Sequence, residues 1–167
     1  MTKKQLCTSV CVAFAICLAL GISGCGGPTG YSEVKGPLQS GTLTIKGKTI
    51  SIEIADDQYS RRRGLMFRKP EDLGENSGML FKNVTKQIQS FFMKNTKIPL
   101  TIAFIDDDGK ILQLEDMQPE DLTQTRSRDE CRWALEMHQG WFKKNGVVEG
   151  DSFDEFRKSI EEALGAF

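Results

Sequence analysis

Between residues 42 and 54 the chain alternates polar and apolar side chains around a single glycine, Gly47. Leu43 and Ile45 fall on one face before it, and Ile50, Ile52 and Ile54 fall on one face after it. A period of two does not suit a helix and predicts a β-hairpin with one buried face. Comparable segments follow. Gly78-Met79-Leu80-Phe81 reads as a short buried strand. Residues 89–95 read as another, with Phe91 and Met93 on one side and Phe92 and Lys94 on the other. Residues 100–105 form a third after Pro99. Asp106-Asp107-Asp108-Gly109 then turns the chain into Ile111-Leu112-Gln113-Leu114, since Asp-Gly suits positions of positive φ. Residues 132–137 make a further strand.

Helical signals are few. The Arg-rich segment 58–67 predicts a short helix, and Trp141-Phe142-Lys143-Lys144 predicts a helical turn that Gly146 ends. At the C-terminus, Ser152-x-x-Glu155 matches a capping box. Phe153, Phe156, Ile160 and Leu164 follow at helical spacing, which predicts an amphipathic helix over residues 153–164. Such a helix either docks on the domain's own sheet or presents a partner-binding face. Many short strands with few helices point to a mostly β fold, a jelly-roll or barrel-like sandwich, with short helices and this C-terminal helix.

The N-terminal region has a different character. Lys3 and Lys4 precede a charge-free, apolar run over residues 10–22. A basic start before a short apolar run is the pattern of an export signal. About a dozen residues fall short of the roughly 20 that span a bilayer. The run ends Ile22-Ser23-Gly24-Cys25, which resembles the lipobox of bacterial lipoproteins. That resemblance implies cleavage before Cys25, a diacylglyceryl group on its thiol and attachment to a membrane outside the cytoplasm. Residues 26–41 contain five glycines with Pro28 and Pro37, a composition suited to a tether. The expected organisation is a signal peptide over 1–24, a flexible tether over 25–41, one β-rich domain over 42–152 and the helix within 153–167.

Processing leaves 143 of the 167 residues, enough for one domain with a real core. The signal holds two of the 22 Lys and Arg and none of the 23 Asp and Glu, so the processed chain carries a formal charge of −3. A mildly acidic chain without a basic run argues against nucleic acid as a partner. Cys7, Cys11 and Cys17 leave with the signal and Cys25 is lipidated, so only Cys131 remains. The domain then folds without a disulfide, and a lone cysteine is most often a small, inert core residue.

Gly64-Leu65-Met66-Phe67-Arg68, Gly78-Met79-Leu80-Phe81, Phe92-Met93-Lys94-Asn95-Thr96, Ile98-Pro99-Leu100, Phe104-Ile105-Asp106 and Ala134-Leu135-Glu136 occur in that order. Gly140-Trp141-Phe142 and Glu149-Gly150-Asp151 follow them. From about residue 42 to 152 this closely resembles the family called domain of unknown function 192. The resemblance implies a compact, mostly β fold with small helices and brings no activity with it. Two positions depart from the family pattern: Phe92 stands where tryptophan is usual, and Thr101 where aspartate is usual.

The residue types argue against several chemistries. His138 is the single histidine, and it lies seven residues from Cys131 at the end of one predicted strand, a poor arrangement for a Cys/His dyad. A zinc site needs more Cys or His than the chain has. The Asp106–Asp108 run lacks the spacing of a calcium loop. The methionines are too scattered for a copper site, and no second acid pairs with Glu136 for glycoside hydrolysis. No cofactor is therefore expected.

What stands out is Phe92-Met93-Lys94-Asn95-Thr96, with Arg63, Met66 and Arg68 from the preceding helical segment and Glu136 in an otherwise apolar strand. A buried carboxylate asks for a cation, and Lys94, Arg63 and Arg68 are the available partners. Two readings follow: a buried ion-pair network joining helix to sheet, or a pocket lined by Met66, Phe92, Met93, Lys94, Asn95 and Glu136. The expected function is a non-enzymatic, membrane-tethered envelope domain that binds a small polar ligand, carbohydrate included, or a partner protein. The alternatives are an envelope hydrolase or transferase using Glu136, and a structural or assembly protein acting through the C-terminal helix.

Overall fold

A computed structural model describes residues 37–165; the expected export signal, Cys25 and most of the segment read as tether lie outside the described residues. Strand β1 (Gln39–Ile45) opens the fold, its first three residues inside the segment read as tether, and pairs antiparallel with β2 (Lys48–Ala55). Lys46 and Gly47 form the two-residue turn between them, at φ 49° and 71°. Both central residues being left-handed matches the right-handed twist of the strands, which is why the hairpin closes there.

Helix α1 (Gln58–Arg63) follows. The Asp57 carboxylate accepts from the backbone N–H of Tyr59 and Ser60 at 2.7 and 3.0 Å and starts the helix. Gly64, at φ 47°, ends it three residues before the predicted limit, and Leu65 then turns into the core. A 3-10 turn at Pro70–Asp72 completes the crossover, so β3 (Ser77–Gln87) pairs parallel with β2.

The expected strand over 89–95 is reduced to β4 (Ser90–Phe91). Beyond it the chain turns: Thr96 N–H donates to Met93 O at 3.1 Å, and Asn95 is left-handed at φ 53°. Strand β5 (Leu100–Ile105) and β6 (Ile111–Met117) make the Asp-Gly hairpin, with Gly109 at φ 87°. Short β7 (Thr125–Arg126) pairs with β4 as a separate ribbon. Strand β8 (Cys131–His138) inserts between β3 and β5, giving a six-stranded mixed sheet in the order β1-β2-β3-β8-β5-β6. The expected β content and short helices are present, arranged as this sheet and ribbon.

Alternation along the central strands sends side chains to two cores. One contains Leu43, Ile45, Ile50, Leu80, Leu135 and Met137, closed by Trp141 and Phe142 of α2 (Trp141–Lys144) and by Phe153 and Phe156. The other contains Met79, Phe81, Met93, Ile102, Phe104 and Ala134.

Helix α3 (Phe156–Leu164) lies on the first face, against β1. It begins three residues later than predicted, and the Ser152–Glu155 capping box does not form. Glu155 is instead a left-handed N-cap at φ 45° without a side-chain hydrogen bond. The preceding backbone is committed elsewhere: Phe153 N–H donates to Gly109 O at 3.0 Å and Asp154 N–H to Thr44 O at 2.7 Å. These bonds stitch the tail to two separate hairpins, and they outweigh one local cap. Phe156 and Ile160 are buried, so the helix's apolar face is used within the domain.

Candidate functional site

On the second face of the sheet, α1, the start of β4 and the turn after it enclose a cavity of about 660 Å³. Of the residues singled out from sequence, Arg63, Met66, Phe92, Met93, Lys94, Thr96 and Glu136 line it. Arg68 and Asn95 do not. The Arg68 guanidinium forms a two-pronged ion pair with Glu53 on β2, one contact being Nη1 to Oε1 at 3.0 Å. That hydrogen bond raises the Arg68 pKa, so this cation is committed fifteen residues back in the chain. Asn95 serves through its backbone: its carbonyl accepts from Phe67 N–H at 2.8 Å, fixing the α1 loop against the 92–96 turn.

The predicted ion-pair network around Glu136 is not formed. Arg63 lies over the Phe67 ring, 5.9 Å from its centroid, and Lys94 makes no ion pair among the described residues. Glu136 follows Leu135 on β8, and the strand period therefore turns it away from the first core toward the cavity. It is 6% exposed. Burial without a counter-charge pushes its pKa up to about 8, so the carboxyl keeps its proton at neutral pH.

Sequence reasoning missed Gln89. It is 3% exposed and lines the same cavity. Its amide N–H₂ donates to Cys131 O and Sγ at 3.2 and 3.3 Å, while its Oε1 is buried with no hydrogen-bond partner. An orphaned buried acceptor costs roughly 1–3 kcal/mol. The cavity lining thus carries a protonated carboxyl, and one of its lining residues, Gln89, keeps a buried acceptor without a partner.

Arg61 and Arg62 also line the cavity. Arg61 Nη1 donates to the carbonyls of Asp56 and Lys82, the latter at 3.0 Å, which anchors α1 to β3. The Arg61-Arg62-Arg63 run was the available sequence signal, a block of like charge placed just before a helix-ending glycine. Apolar walls come from Leu65, Met66, Phe81, Phe91 and Met93, and Phe92, 48% exposed, stands at the mouth.

The remaining reactive groups do not line the cavity. Cys131 is fully buried, and burial pushes its thiol pKa up, as expected of an inert core thiol. His138 lies at the far end of β8, where Nε2 bonds Leu73 O at 2.7 Å. Asp106 Oδ1 caps its own turn by accepting from Asp108 and Lys110 N–H, both at 2.9 Å, and Asp108 pairs with Arg157. Among the described residues no three acids, histidines or cysteines are grouped to hold a metal ion. Thr101 donates to Asp116 Oδ1 at 2.5 Å across the β5–β6 ladder and accepts from Gly140 N–H at 3.2 Å. The carboxylate missing at position 101 is thus supplied by its cross-strand neighbour, away from the cavity.

The DUF192 family model, described as an uncharacterized ACR, matches residues 41–154. Two solved structures are similar. A candidate transcription regulator from Sinorhizobium meliloti 1021 shares 30% identity at a TM-score of 0.65, covering 74% of this chain and 97% of its own. A protein of unknown function from Novosphingobium aromaticivorans DSM 12444 shares 28% at a TM-score of 0.63, covering 74% and 89% respectively. Among curated proteins no relative matches.

Proposed function

The chain belongs to the DUF192 family, and within it we propose a lipid-anchored, extracytoplasmic domain that binds a small polar ligand in the cavity against Glu136. One observation carries the reading: Glu136 lines an accessible cavity, buried and with no protein hydrogen-bond or ion-pair partner among the described residues. A structural polar cluster satisfies its own members, because each unpaired group costs stability. A binding site leaves them for its ligand. The volume falls in the range of roughly 300–1,000 Å³ typical of small-molecule sites.

The anchor is supported by the Ile22-Ser23-Gly24-Cys25 pattern after a short apolar run. Metabolic labelling with a palmitate analogue tests it: label in the wild type and none in Cys25→Ala is the expected result. Thermal shift against sugars and cell-wall fragments tests the pocket. Wild type gains melting temperature with a panel member, and Lys94→Ala and Glu136→Ala gain less. A wild type indifferent to the whole panel removes the reading.

A second reading uses Glu136 as a general acid in a hydrolase or transferase. A carboxyl with its pKa raised to about 8 inside a pocket is the kind of group such catalysis uses. Its test is turnover of an activated glycoside that Glu136→Gln abolishes while retaining binding.

A further inference from the structure

The cavity is electrically two-ended. Its floor presents the buried Glu136 carboxyl, which accepts hydrogen bonds and lies without a protein partner. Its lining holds four cations, Arg61, Arg62, Arg63 and Lys94, against one acid, Glu136. Arg62, Arg63 and Lys94 are exposed to solvent as well as lining the cavity, so they belong to its solvent-facing rim. Between the two ends, Met66, Phe91 and Met93 form an apolar wall.

Each end excludes a class of ligand. Four cations repel an amine. A fatty acid brings an anion but no donors for the floor. A simple anion satisfies the mouth and leaves most of the roughly 660 Å³ unfilled. A sugar ring has hydroxyl donors on its edge and C–H groups on its faces, and a carboxylate on that ring meets the cations. We propose that the pocket selects an acidic sugar, with a hydroxyl donating to Glu136 and the carboxylate held at the mouth by Arg63 and Lys94.

This inference rests on the ligand-binding reading above, and matched pairs separate the two. Calorimetry on the full chain in detergent compares N-acetylmuramic acid with N-acetylglucosamine, and glucuronic acid with glucose and glucosamine. The acid of each set binds at least about tenfold tighter, since a charge-assisted hydrogen bond contributes more than a neutral one. Its advantage shrinks when salt rises from about 50 to about 500 mM. Lys94→Glu removes the advantage and leaves the neutral sugar's affinity within about twofold, and Arg157→Ala, on the other face, changes neither. Glucose or glucosamine binding as well as glucuronic acid overturns the acidic-sugar assignment and leaves the pocket a ligand site. No binding by any member, with every variant folded by circular dichroism, overturns both.

Discussion

One sheet supplies two surfaces that differ in how completely they are finished. On the first, Leu135 and Met137 of β8 meet Leu80 and are closed over by Trp141, Phe153 and Phe156, with Trp133 and Phe156 packed edge to face at 5.5 Å. On the second, the residue between Leu135 and Met137 is Glu136, and the layer above it leaves a cavity. The same strand therefore packs one parity of side chains into a closed core and turns Glu136, of the other parity, to the candidate site. The first face follows from the hydrophobic effect alone. The second keeps a desolvated acid and an unpaired amide oxygen that close packing would have eliminated, and the proposed ligand site rests on that acid.

Four substitutions probe this contrast, in falling order of effect. Phe156→Ala takes an aromatic from the closed face and is expected to cost about 3–5 kcal/mol in urea unfolding. A loss below about 1 kcal/mol would mean that the tail is not part of the core. Glu136→Gln tests the open face. The folded pKa of about 8 lies above the ordinary 4.5, so the folded chain keeps a proton that the unfolded chain releases. The Glu136 contribution to stability is then full below pH 4.5 and falls as pH rises from there through 8, by on the order of a few kcal/mol. The depressed acids, Asp57 and Asp151 among them, complete their gain below this window and do not mask it. Glu136→Gln is expected to flatten the pH 5–8 slope and to be the more stable protein at pH 8; an unchanged slope would assign it to another group.

The remaining two effects are small. Arg68→Ala breaks the half-exposed pair with Glu53 and costs at most about 1 kcal/mol, decreasing in high salt. A larger, salt-independent loss would return Arg68 to the buried network expected from sequence. Lys94→Ala changes stability by less than about 0.5 kcal/mol, because the side chain is exposed and makes no ion pair among the described residues. It affects binding only, and a large unfolding effect would favour a structural role.

The sequence was informative wherever a local period carries the structure. The alternation around Gly47 and the Asp108-Gly109 turn located two hairpins, because side-chain direction and turn geometry are short-range properties. Non-local choices were hidden. Nothing in residues 39–87 states that β2 and β3 pair parallel, and the segment at 89–95 alternates like a strand yet turns at Asn95. The candidate site shows the same division. Glu136 was visible as a charge among Trp133, Ala134, Leu135 and Met137. Its lack of a partner was not, since Arg68 had a carboxylate nearer in space, Glu53, that no spacing rule selects. Gln89 was concealed because a glutamine in a polar stretch reads as surface until the fold buries it.

The difference between the two faces comes down to one proton. A carbon-detected NMR titration of the Glu136 side-chain carboxyl, without and with the tightest sugar found, reads it directly. The account predicts a midpoint near 8 in the free protein and a displaced midpoint once the ligand is bound. A midpoint in the ordinary carboxylate range, unmoved by saturating ligand, would contradict it.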